Sequence, residues 1–191
     1  MIQDLLAEAV EKMDHAVDFV AAEFSTVRTG RANPQILNRI AAEYYGSQTP
    51  LQQLATFSVP EPRLLVIQPF DKSSIPAIER ALQESDLGIN PSNDGSVIRI
   101  AFPALTEDRR KDLIKVVRHM AEEGRVAVRN IRRHTKSDME ALHGEISDDD
   151  IHRAEKELQD VTDSHVSTID QILERKEAEL LAAAKQSKKE T

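Results

Sequence analysis

Three long stretches of this chain repeat apolar residues at steps of three and four, and they are not consecutive. The first carries Leu6, Ala9, Met13, Ala16, Val20 and Phe24; the second Leu113, Val117, Met120, Gly124, Val128 and Ile131; the third Ala154, Leu158, Val161, His165, Ile169 and Ile172. Such spacing marks one face of an amphipathic helix. Each helix alone would leave an apolar stripe in water, and burying the three stripes together is the economical solution. The first helix must then reach partners that follow roughly seventy residues later, so the intervening segment is an insertion.

The insertion differs in character. All eight prolines fall between Arg31 and Pro103. Ile40–Tyr45, Thr56–Val59, Leu64–Gln68 and Val97–Ile100 read as strands, Gly46–Pro50 and Asn90–Gly95 as turns, and Asp71–Leu87 as a short helix. An α/β unit of this size is close to the lower limit for independent folding. The first helix is expected to stop near Thr29-Gly30. Thr106 is placed to cap the second, with Glu107 and Asp108 suited to its dipole, and Gly144 to end it. Ser147, followed by Asp148, Asp149 and Asp150, reads as the start of the third. The expected fold is α+β: an elongated three-helix bundle formed by residues 1–30 and 105–185, an inserted α/β domain at 31–104, and a frayed polar tail at 186–191. Two chain crossings, at Gly30-Arg31 and at Pro103-Ala104-Leu105, join the parts as a hinge that bends but resists twisting.

Charge supplies the functional signal. Arg109 to Lys136 holds ten Lys/Arg and three acids, +7 in a chain of net −8, so the remainder sums to −8 − 7 = −15. At helical spacing Arg118, Arg125, Arg129, Arg132 and Lys136 fall within about one third of the circumference, beside the apolar seam. Two readings follow. The stripe pairs with acids of a neighbouring helix, where Glu155, Glu157 and Asp160 are on offer; or it meets phosphates, for which the excess of Arg over Lys is suited. Scarce aromatics argue against stacking on single strands, so folded RNA read through its backbone is the better target.

Other classes find little support. Without Cys there are no disulfides or thiolate metal sites, which fits a reducing cytoplasm. The acidic amphipathic N-terminus does not read as a signal peptide, and no apolar run approaches a membrane span. No Gly-rich phosphate loop, HExxH or nucleophile elbow is present, so neither an enzyme nor a cofactor is expected. The aspartates after Ser147 read as a helix start rather than a metal site near His143 and His152, and His165 as a satisfied core residue. The chief alternative to RNA binding is a coiled-coil scaffold for a protein partner.

Six motifs occur in order: Arg28-Thr-Gly-Arg-Ala-Asn-Pro34, Tyr44-Tyr-Gly46, Ser85-Asp-Leu-Gly88 with Asn90-Pro91, Asn93-Asp-Gly95, Leu105-Thr-Glu-Asp-Arg-Arg-Lys111 and Val128-Arg-Asn-Ile-Arg-Arg133. Together they resemble the bacterial ribosome recycling factor family over nearly the whole chain. The resemblance implies an L-shaped molecule that binds large-subunit rRNA of the post-termination ribosome. There, elongation factor G hydrolyses GTP and the subunits are split, releasing mRNA and tRNA. It implies a cytoplasmic monomer. Mapped here, Arg132 is the foremost rRNA contact, with Arg129 and Arg133 beside it, Arg125 in the same stripe, and Arg110 and Arg28 as further candidates. Arg28 and Arg31 are also placed to serve the hinge.

Overall fold

The structure, a computed structural model, describes residues 1–87 and 89–187. The chain divides into two compact units, one formed by Met1–Arg28 with Thr106–Ala182, the other containing Thr29–Leu105.

The first unit contains three helices: α1 (Ile2–Ser25), α4 (Glu107–Glu140) and α5 (Asp148–Ser187). Their apolar faces form its core. Met13, Val20 and Phe24 of α1 are buried, as are Val117, Val128 and Met139 of α4 and Ile151, Leu158 and Ile169 of α5. Gly124 marks the tightest approach. A Cβ added there would overlap Val20 Cγ2 and lie 3.3 Å from Ile169 Cδ1, so the missing side chain is what lets α1 and α5 close on α4. The buried Thr162 hydroxyl donates to Leu158 O at 2.7 Å, which satisfies it within its own helix.

The caps explain where these helices start and stop. Thr106 Oγ1 accepts from Arg109 N at 3.1 Å, and Ser147 Oγ accepts from Asp150 N at 3.2 Å. α1 ends four residues short of the expected Thr29-Gly30. The Ser25 and Thr26 hydroxyls donate to Ala22 O and Glu23 O, each at 2.6 Å, competing with continuation of the helical ladder. α4 likewise stops at Glu140, and Gly144, with φ 89°, lies in the connection that follows. The tail expected at 186–191 lies, from 188 onward, outside the described residues.

The second unit is built on a four-stranded antiparallel sheet, order β3-β4-β6-β5, and a separate hairpin β1-β2. The hairpin strands are β1 (Ala41–Tyr44) and β2 (Ser47–Pro50); the sheet strands are β3 (Ala55–Glu61), β4 (Leu64–Pro69), β5 (Pro91–Asn93) and β6 (Ile98–Ala101). A short helical turn α2 (Leu51–Leu54) joins hairpin to sheet, and α3 (Ile75–Gln83) follows β4. Leu37, Leu51, Leu65, Ile67, Ile78, Leu82, Ile98 and Ile100 form its core. Two local expectations are corrected. Ser47–Pro50 is a strand, because Tyr45 (φ 49°) and Gly46 (φ 79°) complete the reversal alone as a two-residue turn. Pro91–Asn93 also pairs, as an edge strand on which a proline forfeits no ladder donor.

Candidate functional site

The basic stripe resolves into two groups with different surroundings. Arg118 Nε donates to Glu177 Oε1 at 2.6 Å. Arg125 is engaged twice: Nε and Nη2 reach Asp170 Oδ1 at 2.7 Å, and Nη1 reaches Glu122 Oε2 at 3.0 Å. Its side chain is only 18% exposed. Burial opposes its charge, but the hydrogen bonds to Asp170 and Glu122 outweigh that and raise its pKa. Arg129 Nη1 lies 3.7 Å from Glu122, and Lys136 Nζ 3.9 Å from Glu140, both loose contacts on a solvated face.

Arg132 and Arg133 differ from these. Neither has a carboxylate partner among the described residues. Arg132 is half-buried, as is the preceding Ile131; Arg133, about 100° further round the helix, is exposed. The neighbour-pairing reading therefore holds for part of the stripe only. Arg118 and Arg125 fasten α4 to α5, Arg129 is loosely held, and Arg132 and Arg133 keep all their donors available. The fastening acids are Asp170 and Glu177, not Glu155, Glu157 or Asp160. Apolar periodicity names the face of a helix but not its register against a partner, and that register selects the acid.

Arg28 and Arg110 in the first unit and Arg31 in the second likewise lack a carboxylate partner among the described residues. At the crossings, Gly30 is buried with φ 76°. A Cβ there would lie 3.3 Å from Leu105 Cγ and 3.5 Å from Pro103 O, so the two crossings abut.

Two histidines link separate elements. His165 is 14% exposed; its Nδ1 lies 2.7 Å from Val161 O and its Nε2 2.6 Å from Asp14 Oδ1, which ties α5 to α1. His143 Nδ1 sits 2.9 Å from Asp148 Oδ1 at the turn. Among the described residues no group of three or more His, Asp or Glu could hold a metal ion.

Sequence reasoning passed over one concavity in the second unit. A groove of about 870 Å³ runs between the β1-β2 hairpin and α3. Tyr45, 85% exposed, stands on its lining. Tyr44 OH donates to Asp71 Oδ2 at 3.0 Å and its ring meets Tyr45 edge-on, 4.5 Å between centroids, which braces the exposed ring. Arg39, Arg80, Glu43, Glu84 and Asp86 line the groove without ion-pair partners among the described residues. The adjacent Tyr44-Tyr-Gly46 run was the available signal.

The family model described as "Ribosome recycling factor" matches residues 20–181. The chain is similar to the ribosome-recycling factor of Acidothermus cellulolyticus, 56% identical over 183 residues, covering 95% of this chain and 99% of that one. It is also similar to that of Thermobifida fusca, 52% identical with the same coverage. Among solved structures it resembles a solution structure of the ribosome recycling factor, with TM-score 0.79, 42% identity, and 95% and 97% of the two chains covered. A second similar chain comes from a study of T. thermophilus ribosome recycling factor and E. coli elongation factor G bound to the E. coli post-termination complex. There the TM-score is 0.65 and the identity 45%, with 95% and 99% covered.

Proposed function

The chain belongs to the ribosome recycling factor family, and from that premise we propose that it binds the large subunit of the post-termination ribosome and, with elongation factor G, splits the subunits so that mRNA and tRNA are released. GTP hydrolysis is the work of elongation factor G. This protein is a lever without covalent chemistry of its own, a monomer acting in the cytoplasm. The three-helix unit (1–30 and 105–185) is the rRNA-binding rod. The inserted unit (31–104) is the arm that the factor moves, and Gly30, Arg31, Pro103, Ala104 and Leu105 form the joint.

The observation that carries this reading is that Arg132 and Arg133 lack a carboxylate partner among the described residues on a helix where Arg118 and Arg125 are engaged by acids of α5. Arg125 and Arg118 hold the rod together, Arg132 and Arg133 meet phosphate oxygens, and Arg129 can exchange its loose contact with Glu122 for one. Arg110 and Arg28 extend the contact along the rod. An acidic chain repels nucleic acid elsewhere, so these few arginines select a shaped site rather than any polyanion. The groove beside Tyr45 carries unpaired charges of both signs, which fits a protein surface better than RNA; it is the arm's candidate face for elongation factor G.

The test is Arg132→Glu. Losing a charge-assisted phosphate contact costs about 1.5–3 kcal/mol, a weakening of tenfold or more in co-pelleting with large subunits. Thermal melting is expected to stay unchanged. The fall of affinity with salt should also become shallower by about one phosphate contact. Unaltered pelleting would remove rRNA binding from Arg132.

A further inference from the structure

α4 and α5 are fastened by ion pairs at a fixed step. Arg118 meets Glu177, and seven residues on, Arg125 meets Asp170. In both pairs the residue numbers sum to 295, the signature of antiparallel helices held in one register, with rungs about 10.5 Å apart at 1.5 Å per residue. The packing agrees. Val117 and Gly124 precede the two arginines and are buried; Ile169, before Asp170, is buried too. The next rung in this register is Arg132 with Asp163, which again follows a buried residue, Thr162.

That rung is not made. Asp163 Oδ1 accepts instead from Gln159 Nε2 at 2.9 Å, one turn back along α5. Arg132 has no carboxylate partner among the described residues. We propose that Gln159 is a positioning residue: by engaging Asp163 along α5, it keeps the third rung of the ladder open and leaves the Arg132 guanidinium free for a phosphate oxygen. The inference rests on the reading of Arg132 as an rRNA contact. A Gln–Asp pair one turn apart and an exposed Arg–Asp pair are of comparable strength, so removing the first lets the second form. An arginine already paired must break that pair before it binds phosphate, and its apparent affinity falls by the fraction left unpaired.

The test measures co-pelleting of the full-length protein with purified large ribosomal subunits at fixed salt. Gln159→Leu keeps bulk and removes the donor; binding is expected to weaken about two- to sixfold, the population shift an exposed ion pair supports. Asp163→Asn alone should bind at least as well as the parent. The double variant Gln159→Leu/Asp163→Asn should return to parental binding, because no carboxylate remains to capture Arg132. A purely structural role for Gln159 would leave the double variant as weak as the single, and that result overturns the proposal. NMR of the arginine Nε–H groups in the free protein reads the same event without the ribosome. In Gln159→Leu the Arg132 signal should move toward those of Arg118 and Arg125; a stationary signal also overturns it. If Arg132→Glu itself leaves binding unchanged, the rRNA reading fails first. If Arg132→Glu weakens binding and Gln159→Leu does not, only this inference fails.

Discussion

At Gly124 the bundle has no room for one additional carbon. Alanine there would gain about 1 kcal/mol of helix propensity. Its methyl would overlap Val20, whose β-branched side chain has little rotamer freedom inside α1. Overpacking of this kind costs about 1–3 kcal/mol, so Gly124→Ala is expected to be net destabilising by up to about 2 kcal/mol in chemical denaturation. Val20→Ala in the same background should make the Gly124 substitution neutral or favourable. The need for a close approach was legible, since a glycine on an apolar seam has few other uses. The ion-pair partners were not. Asp170 and Glu177 look like any other acids of a charged helix, and only the register fixed by the Ala141–Ser147 connection singles them out.

At the scale of elements, the turn between β5 and β6 is held by a carboxylate and is expected to loosen in acid. The Asp94 carboxylate accepts from Val97 N at 2.9 Å, Arg99 Nη1 at 2.8 Å and Ser96 N at 2.9 Å. These bonds, led by that from Val97, hold its pKa well below the usual carboxylate value. Because the folded pKa lies under the unfolded one, the stabilisation is fully present above about pH 4. It is lost progressively as pH falls from there through the lowered folded value. Asp94→Asn should therefore raise hydrogen exchange of the β6 amides at neutral pH, and its difference from the parent should shrink steadily below pH 4. Equal differences at pH 6 and at pH 2 would contradict this. The sequence marked Asn90–Gly95 as a turn and missed that half of it pairs. A three-residue edge strand carries no periodicity to read; its pairing is supplied by the backbone of β6. The β1-β2 reversal was misread for a related reason. Tyr45, at a position that favours glycine or asparagine, adopts a left-handed φ that its residue type does not announce.

For the whole molecule, the informative place is where the chain passes between its units. Gly30 holds φ 76° against Leu105 and the Pro103 carbonyl, so each crossing constrains the other. Gly30→Ala introduces about 1–2 kcal/mol of backbone strain and displaces the second crossing. On the proposed function, large-subunit binding through α4 should survive, because Arg132 and Arg133 are far along the chain from this point. Subunit splitting with elongation factor G should slow, and an unchanged splitting rate would show that the joint is not the moving part. The three helical faces were legible from one period repeated three times. The inserted unit was legible mostly as a change of composition, because short strands and 3₁₀ turns are specified by contacts across the chain rather than along it.

The order of these segments has a consequence for how the protein comes into being. Val20 and Phe24 of α1 complete a core with residues of α4 and α5, yet α1 ends at Ser25 and α4 begins only at Glu107. At about 5–20 residues per second, a nascent α1 waits several seconds, its apolar face exposed, before any partner emerges. The Thr29–Leu105 unit needs nothing that follows it for its own core, so it can be complete during that wait. Synthesis thus completes the inserted unit first and the three-helix unit last. The N-terminal helix is the segment most exposed to chaperones and to aggregation in the interval.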